Sequence, residues 1–446
     1  MFKYFPHTEA DIKQMLEKVS ANTIDDLFAE IPDNVVLKKE YDLPTSMSEI
    51  ELRQYFERLS EKNKMLTVFA GAGAYDHYAP SVINPLISRS EFLTAYTPYQ
   101  PEIAQGTLRY IFEYQSMICE LTGMDCTNAS LYDGPTAAVE TMFMAISNAK
   151  KKNTILISQT VNPRIIEVVK TYAKYRDINI LEITEKDGIT DKADMESKLA
   201  SGDVAGVIVS SLNFYGIIED YTGYSEAIHA TKALLMMHCD PSALAVLKTP
   251  AEWGADIAFG DGQPLGMPLN YGGAYIGFLA CKKDLMRKLP GRICGATTDI
   301  DGKRAFVLTL QAREQHIRRE KANSNICSNQ SLMALYVTIY LSLMGKTGLK
   351  EVNELSYSGA HYLYDQLIAT GKFQPLFNKP FLKEFAVKTS LNIEALNKTL
   401  LNNGIMGGIP LGKYKQQEMA DCLLFCVTEK RSKEDIDKLI ALIKEA

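Results

Sequence analysis

The chain has 446 residues, of which 46% are hydrophobic and 23% are charged, and 48 basic against 54 acidic residues give a net charge of −6. This length predicts about three structural units, and the composition is that of a globular protein with a full core. The acidic balance argues against nucleic-acid binding, which needs a basic surface to displace the counterions of the phosphates.

The sequence also lacks the patterns of secreted, membrane and metal-binding proteins. Its first residues show no basic flank leading into an apolar run, so we expect no secretory signal. The most apolar stretch, residues 333–343, is far shorter than the roughly 18–20 residues that cross a membrane. The eight cysteines form no Cys-x-x-Cys pair and the six histidines are scattered. We therefore predict no metal site, reduced thiols and a cytoplasmic protein.

Residues 1–65 are charged and show helical patterns. A capping box at Thr8 and Asp11 starts one predicted helix, and a second begins near Ser46. The middle of the chain then alternates short apolar runs with helical segments, as in Thr154–Ser158 followed by Pro163–Arg176. Such alternation requires crossover connections and predicts a mostly parallel sheet that is covered on both faces.

The pattern changes after Gly345, where helices and two strands suggest a smaller α+β domain. We therefore predict an α/β fold in three parts. Residues 1–90 form an N-terminal helical segment and loop, residues 91–345 a large α/β domain, and residues 346–446 a small C-terminal α+β domain.

Two motifs, one on each side of the predicted boundary at residue 90, are candidate recognition loops. FAGAGAYDHY (69–78) opens like a dinucleotide-binding loop, but Asp76 stands at its third glycine position, which argues against a nicotinamide dehydrogenase. Its cluster of Tyr75, Asp76 and His77 serves either recognition or packing. In YTPYQPEIAQ (96–105), two prolines suppress helix formation. Tyr96, Thr97, Gln100 and Glu102 therefore lie on an irregular segment, which is either an adhesive surface or an ordinary structured loop.

The segment 236–277 resembles the cofactor region of fold-type I pyridoxal-phosphate enzymes. In those enzymes an aspartate pairs with the pyridinium nitrogen, and a lysine after the next strand holds the cofactor as a Schiff base. Asp240 stands at the aspartate position, where we expect a structural role. No lysine occurs from Thr249 to Cys281, and Gln263 lies near the position that the lysine should occupy. We therefore predict no covalent cofactor on this chain.

Five long stretches resemble the glycine cleavage system P-protein family: VFAGAGAYDHYAPSVI (68–83), YTPYQPEIAQG (96–106), NASLYDGPTAAVE (128–140), GADIAFGDGQPLGMPLNYGG (254–273) and LQAREQHIRREKANSNIC (310–327). Within that family the chain is similar to the first subunit of the two-subunit bacterial form. The resemblance extends over the whole chain and implies a fold-type I pyridoxal-phosphate-transferase-like large domain.

The resemblance also implies an activity and its partners. P-proteins decarboxylate glycine on pyridoxal 5′-phosphate and pass the aminomethyl group to the lipoyl arm of the H-protein, with release of CO2. Long members fuse two similar halves, and this chain resembles the half without the Schiff-base lysine. A separate subunit 2 is then expected to hold the cofactor in an α2β2 assembly. The resemblance makes Tyr96, Thr97, Gln100 and Glu102 the primary catalytic candidates, which are expected to complement the partner's site. Tyr75, Asp76 and His77 are the secondary candidates.

Two alternatives stay open from the residues alone. The chain is an autonomous pyridoxal-phosphate enzyme if Lys248 or Lys282 supplies the amine. It is a non-catalytic scaffold or regulator if it has kept only an enzyme-like fold.

Overall fold

The computed structural model describes residue 4 and residues 6–149, 151–415 and 417–446. The chain divides into two compact units, residues 1–64 and residues 65–446. The expected domain boundaries at residues 90 and 345 remain predictions.

The N-terminal unit contains two short helices, α1 (Glu9–Lys18) and α2 (Glu49–Ser60). Each begins with a capping box, formed by Thr8 with Asp11 and by Ser48 with Glu51. These boxes satisfy backbone N–H groups that would otherwise lack partners, which explains why the helices begin there.

The second unit contains the remaining helices and all the strands that the structure describes. The helices are α3 (Ile83–Ile87), α4 (Ser90–Leu93), α5 (Gln105–Thr122), α6 (Gly134–Ala149), α7 (Pro163–Lys174), α8 (Lys192–Leu199), α9 (Tyr224–Ala230), α10 (Gln315–Arg318), α11 (Ser331–Ala369), α12 (Ile393–Asn402), α13 (Gly412–Lys415) and α14 (Lys433–Glu445). The strands are β1 (Thr67–Val68), β2 (Cys126–Thr127), β3 (Thr154–Ser158), β4 (Asn179–Ile183), β5 (Glu185–Lys186), β6 (Ile189–Thr190), β7 (Val204–Ser210), β8 (Leu234–His238), β9 (Ile257–Asp261), β10 (Gly277–Cys281), β11 (Ile293–Thr298), β12 (Arg304–Thr309), β13 (Phe373–Pro375), β14 (Glu384–Thr389), β15 (Ile405–Met406), β16 (Ile409–Pro410) and β17 (Cys422–Cys426).

A seven-stranded sheet in the order β2-β10-β9-β8-β7-β3-β4 forms the centre of this unit. Strands β9, β8, β7, β3 and β4 run parallel, while β10 is antiparallel to both β9 and β2. Successive residues of β3 enter different apolar clusters, Ile155 and Ile157 on one face and Leu156 on the other. The sheet is therefore buried on both sides, which confirms the predicted α/β fold with a mixed, mostly parallel sheet.

The C-terminal part of the unit has its own sheet, with the antiparallel order β13-β14-β17-β16. The side chains of α11, α12 and α14 form a separate apolar cluster with this sheet. Strand β1 pairs in parallel with β15, so the chain just after residue 64 lies beside these C-terminal elements. This pairing brings the loop 69–78 close to residues 383–431.

Helix α11 links the two sheets and is broken at Gly345, whose φ of 57° and ψ of −171° are not helical. The apolar patterns of the sequence predict one helix over Ser331–Leu343 and another over Glu351–Thr370, and the break lies between them. By length and composition, α11 is long and apolar enough to cross a membrane, and 44% of its apolar window is buried inside the structure. Core helices of soluble proteins pass the same test, so the feature carries little weight.

Candidate functional site

A cavity of about 530 Å³ opens at the carboxyl edge of the parallel strands, where fold-type I enzymes hold their cofactor. It is lined by the loop 72–75, the starts of α6 and α7, the ends of β8 and β9, and the loop 272–275. Gln330 completes the wall. Among the residues that the structure describes, none of those lining the cavity is a lysine.

Asp240, at the position of the pyridinium-binding aspartate, lies at this cavity and forms an ion pair with a lysine of the chain. Lys383 precedes β14, its side chain is 1% exposed, and its Nζ lies 2.6 Å from Asp240 Oδ2. Burial disfavours the charged carboxylate, but the Lys383 ammonium outweighs it and lowers the pKa of Asp240. Asp240 Oδ1 accepts a hydrogen bond from Ser242 N. The positive charge that a pyridinium would bring to Asp240 is thus already supplied by Lys383.

His77 extends the ion pair into a buried chain of polar groups. Its Nε2 lies 2.9 Å from Lys383 Nζ and its Nδ1 lies 2.6 Å from Glu429 Oε2. An ammonium has only donors, so Nε2 accepts and Nδ1 donates its proton to Glu429. Burial and then the neighbouring Lys383 lower the pKa of His77, in agreement with a neutral ring.

Tyr75 and Gln263 fix the loop 72–75 against the strand ends. Gln263 is fully buried, accepts from Tyr75 N at 2.8 Å, and donates to Tyr75 O and Met267 O. The Tyr75 hydroxyl donates to Glu384 Oε2 at 3.1 Å, and its ring lies 4.0 Å from Lys383 Nζ. Gln263 therefore holds the loop by both ends of its amide, near the position where a Schiff-base lysine would stand.

Backbone N–H groups at the N-terminus of α6, where a cofactor phosphate would be expected, already have hydrogen-bond partners in the chain. Asp261 Oδ2 accepts from Gly134 N at 3.0 Å, and Asp133 Oδ1 accepts from Thr136 N at 2.8 Å. Burial raises the pKa of Asp261 to about 6. A carboxylate of the chain thus occupies a donor that a phosphate would use.

These contacts show that the residues present do not fit a covalently bound pyridoxal phosphate. Its amine anchor is missing, Asp240 is paired with Lys383, and an α6 amide donor is paired with Asp261. The lysines of the autonomous-enzyme alternative lie elsewhere. Lys282 forms an ion pair with Asp256 at 2.7 Å, and Lys248 Nζ lies 4.3 Å from the centre of the Trp253 ring.

The primary catalytic candidates lie outside the cavity. Tyr96 is 84% exposed, Gln100 and Glu102 are exposed, and Thr97 is half-buried. The backbone of this segment is held against the rest of the fold, because Pro98 is buried and the neighbouring Tyr99 hydroxyl accepts a hydrogen bond from Arg292 at 3.1 Å. The structure therefore presents these side chains outward and does not join them to Asp240 or Gln263.

The secondary candidates, in contrast, belong to the buried network around the cavity. Tyr75 and His77 contact Lys383, and Asp76 forms ion pairs with Lys430 at 2.6 Å and Arg431 at 3.2 Å. Sequence reasoning missed their partners Lys383, Glu384 and Glu429. The sequence did carry a signal for them. Charged residues stand at the start of one apolar run, in LKEFAV (382–387), and at the end of another, in FCVTEKR (425–431).

Comparisons with known proteins agree with this geometry. A family model described as glycine cleavage system P-protein matches residues 2–443. The chain is 50% identical to a probable glycine dehydrogenase (decarboxylating) subunit 1 of Moorella thermoacetica over 441 residues, which cover 99% of each chain. A protein of the same name from Carboxydothermus hydrogenoformans is 49% identical over 444 residues, again 99% of each.

Solved structures give the same picture. The chain is similar over its full length to an inhibitor-bound glycine decarboxylase (P-protein) of the glycine cleavage system, with 40% identity, a TM-score of 0.89 and 100% coverage of both chains. A glutamate decarboxylase of Lactobacillus brevis shares the fold at 13% identity and a TM-score of 0.68, covering 93% of this chain and 97% of that one.

Proposed function

Since the chain belongs to the glycine cleavage system P-protein family, we propose that it is subunit 1 of a glycine dehydrogenase (decarboxylating) and works beside a separate catalytic subunit 2. Relatives that are half identical over their full length carry the name of subunit 1. The assembly decarboxylates glycine and transfers the aminomethyl group to the lipoyl arm of the H-protein, releasing CO2. The reduced cysteines fit a cytoplasmic location.

The main observation that supports this assignment of the two subunits is the cavity, whose described lining residues include no lysine. Schiff-base chemistry needs an amine, and the polar groups that would meet a cofactor here already have partners in the chain. Pyridoxal 5′-phosphate is therefore assigned to subunit 2, in an α2β2 assembly. The buried network of Lys383, Asp240 and His77 serves the stability of this subunit.

The loop 96–102 is the part of this chain that we assign to the neighbour's active site. Its Tyr96, Gln100 and Glu102 side chains are exposed, while Pro98 and Tyr99 hold the backbone in place. Two prolines leave the segment little conformational entropy to lose on docking. Tyr96, Thr97, Gln100 and Glu102 would orient groups at the partner's site and exclude water from it.

The test is to mix this chain with its cognate subunit 2, lipoylated H-protein and labelled glycine, and to measure CO2 release. We expect release from the mixture and no more than background from either subunit alone. Full activity of subunit 2 alone would leave this chain a scaffold or regulator, and activity of this chain alone would make it an autonomous enzyme.

The place of the cofactor has its own prediction. After incubation with pyridoxal 5′-phosphate and reduction with borohydride, peptide mass mapping should find a stoichiometric pyridoxyl-lysine on subunit 2 and none on this chain. Gln263→Lys should not create such a site, because Asp240 and Gly134 N stay paired with Lys383 and Asp261. A stoichiometric adduct on the wild-type chain would contradict the assignment.

A further inference from the structure

The N-terminal unit, residues 1–64, has no core of its own. None of its described residues is buried, and only Ile12, Leu16 and Ala21 are half-buried. Of its twenty described Val, Ile, Leu, Met, Phe and Tyr side chains, eighteen are exposed. A segment of this length that buries no apolar surface does not offset the conformational entropy of ordering its backbone.

Four apolar side chains of α2 lie along one face of the helix. On α2, Leu52, Tyr55, Phe56 and Leu59 follow the i, i+3, i+4, i+7 spacing of one helical stripe, and all four are exposed. The opposite face carries Gln54 and Glu57. An amphipathic stripe of this kind indicates a helix that packs against another surface.

The amount of apolar surface matches a stable protein interface. At roughly 100 Å² each, the eighteen exposed side chains present on the order of 1,500–2,000 Å². The largest apolar patch on a typical monomer is about 300–600 Å². A standard interface buries about 800 Å² on each partner, and obligate interfaces are larger and more apolar. The unit therefore exposes enough apolar surface in total for a subunit contact of at least standard size.

We propose that residues 1–64 are a docking arm whose apolar faces, including the α2 stripe, pack on subunit 2. The inference rests on the proposed function, which supplies a different chain as the obligate partner. Charge also disfavours a second copy of this chain as the occupant. Residues 1–64 contain nine basic and thirteen acidic residues, and the whole chain carries a net charge of −6. A second copy would therefore bring together two chains of like net charge.

The test compares two double variants of the full chain for binding to subunit 2. Leu52→Gln with Phe56→Gln removes the stripe while keeping residues of high helix propensity. Gln54→Ala with Glu57→Ala changes two residues of the opposite face and also keeps residues of high helix propensity. Dissociation constants are measured by calorimetry, oligomeric state by light scattering, and helix content by circular dichroism.

We expect Leu52→Gln/Phe56→Gln to weaken binding by about thirtyfold or more, as for buried interface anchors, and Gln54→Ala/Glu57→Ala to change it by less than about threefold. Equal affinity of the stripe variant and the wild type, in a complex that forms and releases CO2, would overturn this inference and leave the proposed function intact. Failure of the wild type to bind subunit 2 would overturn both.

Two further results would assign the arm to another occupant and so overturn the proposal. One is a stable dimer of the isolated wild-type chain that Leu52→Gln/Phe56→Gln converts to a monomer. The other is an arm that resists limited proteolysis equally well in the isolated monomer and in the complex. We expect the isolated chain to be cleaved within residues 20–48 and the complex to be protected.

Discussion

Lys383 has a fully buried side chain, which is unusual for a lysine. Lysine is almost never fully buried unless it is paired, and the Lys383 side chain is 1% exposed. Its ammonium meets Asp240, His77 and the face of Tyr75. These contacts join the strand end after β8, the loop 69–78 and the C-terminal sheet at one point.

Replacing Lys383 with methionine should therefore be costly. It leaves the buried Asp240 carboxylate without its counter-charge, and breaking one side of a buried pair costs about 3–5 kcal/mol in the free energy of unfolding. Lys388→Met, on the strand that follows Lys383, is the matched control, because its partner Asp421 is exposed and such surface pairs contribute about 0–1 kcal/mol. Urea denaturation measures both.

A second variant separates the charge from the packing. In Lys383→Met/Asp240→Asn the unpaired charge is gone, so the double variant should recover part of the stability that Lys383→Met loses. Equal stability of Lys383→Met and Lys388→Met would show that the buried ion pair does not hold the loop.

Glu384 should make stability depend on pH. Burial raises its pKa to about 7 from 4.5, although Ala72 N and the Tyr75 hydroxyl donate to it. The native state thus binds more protons than the unfolded chain between pH 4.5 and 7, so this group lowers stability as pH rises through that window. Over the full shift the contribution is about 3 kcal/mol.

Glu384→Gln removes this titration while keeping an acceptor for Ala72 N. We therefore expect the unfolding free energy of the variant to fall less than that of the wild type between pH 4.5 and 7.5. The exposed Glu394→Gln should keep the wild-type slope. Parallel pH profiles of Glu384→Gln and the wild type would contradict a raised pKa at this site.

At the scale of elements, the loop 96–102 differs from the loop 69–78 in where its side chains go. In the loop 69–78, Tyr75 and His77 point into the buried network. In the loop 96–102, Tyr96, Gln100 and Glu102 are exposed. A loop held by a buried proline but exposed at its polar side chains is suited to contact another chain.

Substitutions in this loop should therefore lower activity without lowering stability. Tyr96→Phe, Gln100→Ala and Glu102→Ala are expected to reduce glycine decarboxylation by the assembled enzyme by roughly tenfold to a hundredfold, the loss typical of a misplaced reacting group. Tyr175→Phe, at another exposed tyrosine, is the control. Wild-type rates in all three variants, with complex formation intact on size-exclusion chromatography, would reduce the loop to scaffold.

At the scale of the whole molecule, the cysteines are distributed through the fold as isolated small apolar residues. All eight are free, and only Cys327 is exposed. Cys126 and Cys281 face each other across neighbouring strands with their sulfurs 3.6 Å apart. Burial raises the pKa of Cys119, Cys294 and Cys422 to about 12 each, which lowers their reactivity further.

Thiol titration should reflect this distribution. The denatured, unreduced protein should give close to eight thiols, and the native protein one fast thiol that Cys327→Ser removes. Four or fewer thiols in the denatured protein would contradict the prediction of reduced cysteines.

The sequence by itself determined the main helices, the parallel strands of the central sheet and the missing lysine. The strands Thr154–Ser158 and Val204–Ser210 lie where their apolar runs predict them, because a continuous apolar run is typical of a strand buried on both faces. Strands β10, β11 and β12 were not predicted, since their partners are set by antiparallel pairing along the chain and not by a local pattern. The absence of an amine near Gln263 needs no coordinates at all.

Only the tertiary structure decided which residues pair with the polar groups around the cavity. Asp240 and Lys383 are far apart in the chain, and so are Gly134 and Asp261; no spacing rule joins such pairs. They meet because the carboxyl ends of the parallel strands share one edge and because β1 pairs with β15, which brings the loop 69–78 to the C-terminal sheet. Which residues pair in a buried polar network depends on how the folded backbone brings distant segments together. Helices and strands, in contrast, depend mainly on the residues within each segment.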